Sequence, residues 1–251
     1  MLRGFNVLQR FYRKTRLIIN LCYNNKMKNN AFTLAEVLIT LGIIGVVAAL
    51  VMPSIINNVR DRELVTGLKK AYSVLSQATT SVVFDNPVSG WNLADGNTAY
   101  AKEFYEYYKP YLKIAKDCGC AQYPTGCWSQ DITKALTGVN YQYGRVGGSS
   151  TNACDVRLAD GTNVSFDFWS GSGVGVTSAL AVPIISVDVN GDKKPNMWGR
   201  DVFLFALTAE SNRLLPAGID NNSANCVTTG GSNLAGVQCA AKVLQEDKIN
   251  Y

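Results

Sequence analysis

The feature that most constrains this chain is a long apolar run at residues 32–56, FTLAEVLITLGIIGVVAALVMPSII. About 20 consecutive apolar residues in a helix cross the hydrocarbon core of a bilayer, so the run is long enough to span a membrane. Its only charged residue is Glu36. A carboxylate costs roughly 2.5–3.5 kcal/mol at the centre of a membrane helix and less near its end. A charge retained in such a segment therefore indicates a specific function.

The charges of the chain are unevenly placed around this run. Residues 1–31 hold seven of the 24 lysine and arginine residues and none of the 19 acidic residues. Basic segments that flank a membrane helix stay in the cytoplasm, so we expect a single pass of a membrane with the N-terminus on the cytoplasmic side. After residue 31 the acidic residues outnumber the basic ones. This balance argues against a polybasic surface that would bind nucleic acid.

The cysteines support the same topology. Six of the seven follow the apolar run, and an even number of cysteines outside the cytoplasm predicts disulfides. Cys226 and Cys239 enclose a segment rich in Gly and Asn and are predicted to pair. The other four are predicted to form two bonds, with Cys154 joined to one member of the 118–127 group. The chain has no histidine, which removes the commonest general base and lowers the expectation of a hydrolytic enzyme.

Residues 27–76 resemble the N-terminus of type IV prepilins and type II secretion pseudopilins. The resemblance rests on a basic leader, a small residue at Ala31, the sequence Phe-Thr-Leu-x-Glu and the long apolar helix. It implies that a prepilin peptidase cuts between Ala31 and Phe32 and methylates the new amine. That family usually has Gly where this chain has Ala31. Met27 opens a leader of usual length, so residues 1–26 are either an over-extended translation start or a longer basic leader.

An amine freed at Phe32 would have a pKa of about 8 and would need a counter-charge in an apolar environment. Glu36 can bind the amine of its own chain or that of a neighbouring subunit, and the resemblance favours the neighbour. Pro53 is predicted to kink or locally melt the helix. The resemblance implies that subunit helices loosen there in a filament. As an alternative, a secretory signal peptidase would cut near residues 48–49, which leaves the FTLAE sequence unexplained.

Hydrophobic periodicity predicts one helix from residue 32 to about residue 84, with an apolar first half and a single apolar stripe in its second half. A second helix is predicted at residues 98–116 with a bend at Pro110, followed by a disulfide-bonded loop region at 117–154.

From residue 155 the period changes to two. Residues 156–169 predict a hairpin turning at Asp160-Gly161, and residues 182–189 and 201–209 predict further strands. The fold class is therefore α+β, with a long N-terminal helix packed on an antiparallel sheet, as in pilins. The expected organisation is a basic leader at 1–31 that is removed, a membrane and assembly helix at 32–56, and an extracytoplasmic domain at 57–251.

One loop of this domain carries alternating oxygen ligands. Asp188, Asn190 and Asp192 are spaced like the start of a calcium-binding loop, and Asn196 and Asp201 would complete an irregular site. The sequence departs from the EF-hand pattern because Gly stands where the bidentate Glu should be. An ordinary Asn-Gly hairpin turn explains the same residues, and both interpretations remain open at this point.

Together these features predict a structural subunit of a pilus-like filament or a secretion pseudopilus, without enzymatic activity. Its expected partners are the prepilin peptidase, other pilin subunits and an inner-membrane assembly platform, and its final location is periplasmic or extracellular. Two other classes are left open. One is an anchored binding module, such as an adhesin or a DNA-uptake pilin, and the other is an anchored enzyme.

Overall fold

The computed structural model describes residues 33–87, 99–121, 126–143, 146, 153–176, 181–208, 211–220 and 224–251. The chain divides into two units, with the division between Pro53 and Ser54. One helix runs through this division, and the second unit contains the sheet and the remaining helices.

The first helix, α1, runs from Leu34 to Asp85 and confirms the prediction of one helix to about residue 84. It stays helical through Pro53, so the backbone does not melt there. The buried side chains of α1 all lie in its second half and recur at steps of three and four, as one face of a helix requires. They are Leu64, Val65, Leu68, Ala71, Leu75, Ala78, Thr79 and Val82.

The prediction of a second helix at 98–116 is wrong in its second half. Helix α2 spans Ala99–Tyr108, a 3₁₀ turn follows at Lys109–Tyr111, and strand β1 begins at Ile114. Pro110 lies in the turn, where its missing N–H and fixed φ oppose continuation of the α-helix. The strand β1 extends to Ala121, so it also replaces the start of the predicted loop region.

Six strands form one antiparallel sheet in which every strand pairs with its neighbours in the chain. After β1 the strands are β2 (Ala153–Leu158), β3 (Asn163–Ser170), β4 (Ala181–Asp188), β5 (Val202–Leu207) and β6 (Leu214–Pro216). The hairpin predicted at Asp160-Gly161 is present between β2 and β3. The strands predicted at 182–189 and 201–209 are β4 and β5. Short helices follow at Gly171–Val174 (α3) and Ala240–Glu246 (α4).

Both faces of the sheet are buried, and each face has its own core. Leu68 of α1 and Tyr108 of α2 pack with Phe205 of β5 in the first core. Leu204, the neighbouring residue on β5, points to the other face and packs with Trp198 in the second core. This alternation along β5 is the period of two that a strand imposes on its side chains. The α+β prediction, with α1 packed on an antiparallel sheet, is therefore confirmed.

Three disulfides hold this domain together. Cys226 pairs with Cys239, as predicted. The bond from Cys154 goes to Cys120, which lies directly opposite it on the neighbouring strand. Cys118 and Cys127 form the third bond. Along the chain the paired cysteines are 13 residues apart in the first bond, 34 in the second and 9 in the third. The second and third bonds both involve cysteines of β1. They link this edge strand to β2 and to the segment that follows β1 in the chain.

Candidate functional site

The N-terminus of α1 contains a capping arrangement around Glu36. Thr33 is the residue before the helix, and its backbone N–H donates to Glu36 Oε2 at 2.8 Å. The Thr33 hydroxyl donates to the same oxygen at 3.0 Å, and the Glu36 backbone N–H donates to Thr33 Oγ1 at 3.3 Å. This is the reciprocal capping box of the pattern Thr-x-x-Glu, which satisfies free N–H groups at a helix start. Glu36 thus has a local structural role in addition to the one predicted.

The capping box changes how Glu36 has to be interpreted. Its carboxylate binds the backbone N–H of Thr33, and Thr33 immediately follows Phe32 in the chain. The carboxylate therefore already has hydrogen-bond donors at the start of its own helix. Ala31 and Phe32 themselves lie outside the described residues. The cap was missed at the level of sequence, although the spacing of Thr33 and Glu36 was sufficient to find it.

The first half of α1 exposes almost all of its aliphatic side chains. Between residues 33 and 60 none is buried, and Leu38, Ile44 and Leu50 are 61%, 63% and 76% exposed. This helix is long and apolar enough to cross a membrane. Exposed apolar surface of this extent marks a site of membrane or protein contact. The apolar half is therefore consistent with membrane anchoring.

A polar segment follows the apolar half at residues 60–63, which read Arg-Asp-Arg-Glu. Asp61 forms an ion pair with Arg200, and both side chains are about one-third exposed or less. Arg200 precedes β5, so the pair ties the second half of α1 to the loop between β4 and β5. Burial of the α1 stripe begins just after it, at Leu64. The charged segment therefore marks where α1 starts to pack on its own domain.

The loop between β4 and β5 holds the candidate metal residues. Asp188 ends β4, and its Oδ1 accepts a hydrogen bond from the Asn190 backbone N–H at 3.2 Å. Asp201 precedes β5 and is fully buried. Its Oδ2 accepts hydrogen bonds from the Asn196 backbone N–H at 2.8 Å and from Asn190 Nδ2 at 3.2 Å, and its Oδ1 accepts one from the Met197 N–H at 2.7 Å. Asp201 thus organises the loop from inside.

Asp192 has different partners from the other loop residues. Its Oδ2 lies 2.6 Å from a terminal nitrogen of Arg157, and its Oδ1 accepts a hydrogen bond from Asn163 Nδ2 at 3.1 Å. Its side chain is about half exposed. The structure therefore brings Asp188, Asn190 and Asp201 together and engages Asp192 at the side of the loop that faces β2 and β3.

Two carboxyl groups of this loop have raised pKa values. Burial, together with the nearby Asp201 and Asp192 charges, raises the pKa of Asp188 to about 9. Burial also raises the pKa of Asp201, although the N–H donors of Met197 and Asn196 oppose this shift. Within the described residues, no three His, Cys, Asp or Glu side chains form a group that could hold a metal ion. Any cation bound in this loop would therefore need amide oxygens as ligands.

Comparison with protein families finds a match at the N-terminal part of the chain. Residues 26–52 match the family described as prokaryotic N-terminal methylation motif. The match covers Lys26 and Lys28, the predicted cleavage position after Ala31 and the apolar helix as far as Met52. Comparison with curated proteins and with solved structures gave no match.

Proposed function

Because the chain carries the N-terminal methylation motif of type IV prepilin-like proteins, we propose that it is a structural subunit of a pilus-like filament or secretion pseudopilus. The prepilin peptidase removes the leader before Phe32 and methylates the new amine. The apolar half of α1 then anchors the subunit in the inner membrane with its N-terminus on the cytoplasmic side. The disulfide-bonded domain lies outside the cytoplasm, where oxidising conditions maintain such bonds.

The observation that carries this proposal is the exposed aliphatic surface of α1 behind a match to the methylation motif. A membrane tether needs such a surface to contact lipid only. A filament subunit needs it twice, first for lipid and then for the helices of neighbouring subunits after extraction from the membrane. Glu36 supports the second use, because the capping bonds from Thr33 leave its charge without a counter-charge in hydrocarbon.

In the filament, Glu36 forms an ion pair with the Phe32 amine of an adjoining subunit and so fixes the register between them. An amine left unpaired in an apolar bundle costs several kcal/mol unless it loses its proton. The capping box gives Glu36 a competing explanation, since a cap stabilises the helix without any neighbour. The experiment must therefore separate the charge of the side chain from its capacity to cap.

Glu36→Gln makes this separation, because Gln serves in a capping box but carries no charge. We expect Glu36→Gln to be processed and retained in membranes but to enter sheared filaments poorly, as Glu36→Leu should. Glu36→Asp, which keeps the charge on a shorter side chain, should be intermediate. Glu63→Gln is the matched control, because it removes an exposed carboxylate from the same helix beyond the apolar run. It should assemble like the wild type.

Two results would contradict parts of the proposal. If Glu36→Gln assembles like the wild type while Glu36→Leu does not, the side chain acts as a cap and the ion pair is wrong. If the wild-type chain is never recovered in a sheared filament fraction under conditions that assemble filaments, the structural role itself is wrong.

A further inference from the structure

A cavity of about 430 Å³ lies between α1, β6 and α4. Tyr72 and Thr80 line it from α1, all three residues of β6 line it from the sheet, and Leu244 and Gln245 line it from α4. Sites for small molecules have volumes of about 300–1,000 Å³ and combine mostly apolar walls with a few polar groups. This cavity has that size and that composition.

The three walls of the cavity are joined by contacts within the domain. Between α1 and β6, the Tyr72 hydroxyl donates to the Leu214 carbonyl at 3.4 Å, and the Tyr72 ring stacks on Phe205 with the ring centroids 5.4 Å apart. Between α4 and the sheet, the Ala241 N–H donates to the carbonyl of Ala217, which follows β6, at 3.1 Å. The cavity is therefore already formed before any ligand enters it.

Arg213 gives this cavity a single positive charge. Among the described residues that line the cavity it is the only charged one, and its side chain has no carboxylate within 4.0 Å in the described part of the chain. Ser211 Oγ accepts the Arg213 backbone N–H at 3.3 Å and so fixes the chain where β6 begins. Arg213 and Gln245 are both exposed, so they lie at the rim of the cavity.

The chemistry of the cavity selects an anion with an apolar body. A guanidinium binds a carboxylate through two parallel hydrogen bonds, and a Gln side-chain amide donates to the same kind of oxygen. Leu214, Pro216 and Leu244 provide aliphatic contacts for the rest of the ligand. A phosphate ester carries a charge of about −1.5 to −2, which one cation does not balance. A monocarboxylate matches the single charge of Arg213.

The same walls favour a small molecule over a peptide strand. A peptide would have to pair with β6, the last strand of the sheet. Leu214 is only 3% exposed, and Pro216 is buried and has no N–H to donate. The backbone of β6 is therefore closed to a further strand, whereas the cavity beside it is open to a ligand of limited size.

We propose that this cavity binds a small aliphatic monocarboxylic acid. Arg213 and Gln245 hold the carboxylate at the rim, and the aliphatic chain packs on Leu214, Pro216 and Leu244. Because the ligand contacts α1, β6 and α4 together, its binding stabilises the folded domain. This inference concerns the domain alone and does not rest on the proposed filament role.

The test titrates the full-length chain in a non-ionic detergent with hexanoate, hexanamide or hexylammonium. Binding is followed in ¹H–¹⁵N spectra, which include the Arg213 Nε–H group. Hexanoate should bind saturably at one site per chain and shift the Arg213 signal. Hexanamide has the same chain without the charge, so it should bind at least about tenfold more weakly, as expected for loss of a charge-assisted hydrogen bond. Hexylammonium should not bind saturably.

Arg213→Gln should weaken hexanoate binding at least about tenfold and abolish the preference over hexanamide. Its side chain is exposed, so this variant should fold like the wild type. Arg62→Gln is the matched control, because it removes an exposed Arg of α1 outside the cavity, and it should keep wild-type affinity. Thr80→Phe fills the cavity from an exposed position of α1 and should abolish binding of both hexanoate and hexanamide while the three disulfides still form.

Three results would overturn the proposal. One is the absence of saturable hexanoate binding to the wild type. The second is equal affinity for hexanoate and hexanamide, or an Arg213→Gln variant that binds hexanoate like the wild type, because either would show that Arg213 does not hold the carboxylate. The third is tighter binding of the peptide acetyl-Gly-Gly-Leu than of hexanoate, which would assign the cavity to a polypeptide C-terminus instead of a small acid.

Discussion

The two halves of α1 are one continuous helix with opposite relations to solvent. In the first half the aliphatic side chains are exposed on every side, whereas in the second half a single stripe is buried against the sheet of the same chain. The second half thus obtains its apolar contacts from its own domain. The first half obtains no such contacts from this domain, and under the proposed function lipid and neighbouring subunits supply them. The comparison shows that one continuous helix can contain a half that belongs to the domain core and a half whose apolar surface the domain leaves exposed.

This contrast predicts that the disulfides and the core of the domain stabilise it independently of the first half of α1. The largest effect should come from the disulfide that joins β1 to β2. Replacing both Cys120 and Cys154 with Ala opens a segment of 34 residues, which costs about 4 kcal/mol in the chain-entropy model. Removing the Cys226–Cys239 bond, which spans 13 residues, should cost about 3 kcal/mol. Urea unfolding followed by tryptophan fluorescence measures both. Both variants should still be retained in membranes by the first half of α1. If they were lost from membranes, the two halves of α1 would not act independently.

The next effect contrasts two leucines of the same helix. Leu68 is fully buried and Leu41 is 60% exposed. Leu68→Ala should destabilise the domain by about 2–5 kcal/mol, because it leaves a cavity in the first core. Leu41→Ala should leave the free energy of domain unfolding unchanged. If both variants unfold the domain equally, the first half of α1 contributes to the domain core and the comparison fails.

A smaller effect is expected from a buried hydrogen bond between α1 and α2. Thr79 Oγ1 donates to the Leu75 carbonyl at 2.7 Å, so the Tyr108 hydroxyl donates to Thr79 Oγ1, also at 2.7 Å. Burial raises the pKa of Tyr108, so the hydroxyl stays protonated. Tyr108→Phe should lower the free energy of unfolding by about 1 kcal/mol. A loss as large as that for Leu68→Ala would indicate that the hydroxyl supports more than this bond.

The smallest change in the free energy of unfolding is expected from an ion pair on the surface. Lys69 and Asp247 form an ion pair at 2.5 Å, and about half or more of each side chain is exposed. Exposed pairs contribute about 0–1 kcal/mol and are screened by salt. Asp247→Asn should therefore change the free energy of unfolding only slightly, and high salt should remove the difference. A change above that of Tyr108→Phe would show that α4 is held mainly by this contact.

The sequence predicted most clearly the parts whose periodicity is strong. The steps of three and four in α1 and the Asp160-Gly161 turn have purely local causes, and both are present in the structure. The end of α2 was missed because residues 111–116 contain good helix formers, and the pairing of β1 with β2 that overrides them is a long-range contact. Helix α4 was not predicted from the sequence. It is only seven residues long, and helices this short depend on tertiary packing.

The candidate sites were predictable to different degrees. Glu36 stands out in an apolar run without any structural information, although its capping bonds to Thr33 were missed. The oxygen-bearing side chains of Asp188 and Asn190 could be picked out from their spacing. The central place of Asp201 could not, because it depends on how residues 190–197 fold around its carboxylate. The partners of Asp192 could not either, because Arg157 and Asn163 reach the loop from another hairpin. Cys154 shows the same limit, since its partner is decided by strand register.

The most direct test of the proposed role is the N-terminus of the subunit found in filaments. Filaments sheared from cells are purified, and the intact mass and N-terminal peptide of this chain are measured by mass spectrometry. We predict a chain that begins at N-methylated Phe32, carries three disulfides and is present in the filament fraction. A chain that begins at Met1, at Met27 or beyond Ala48, or one found only in membranes, would contradict this role.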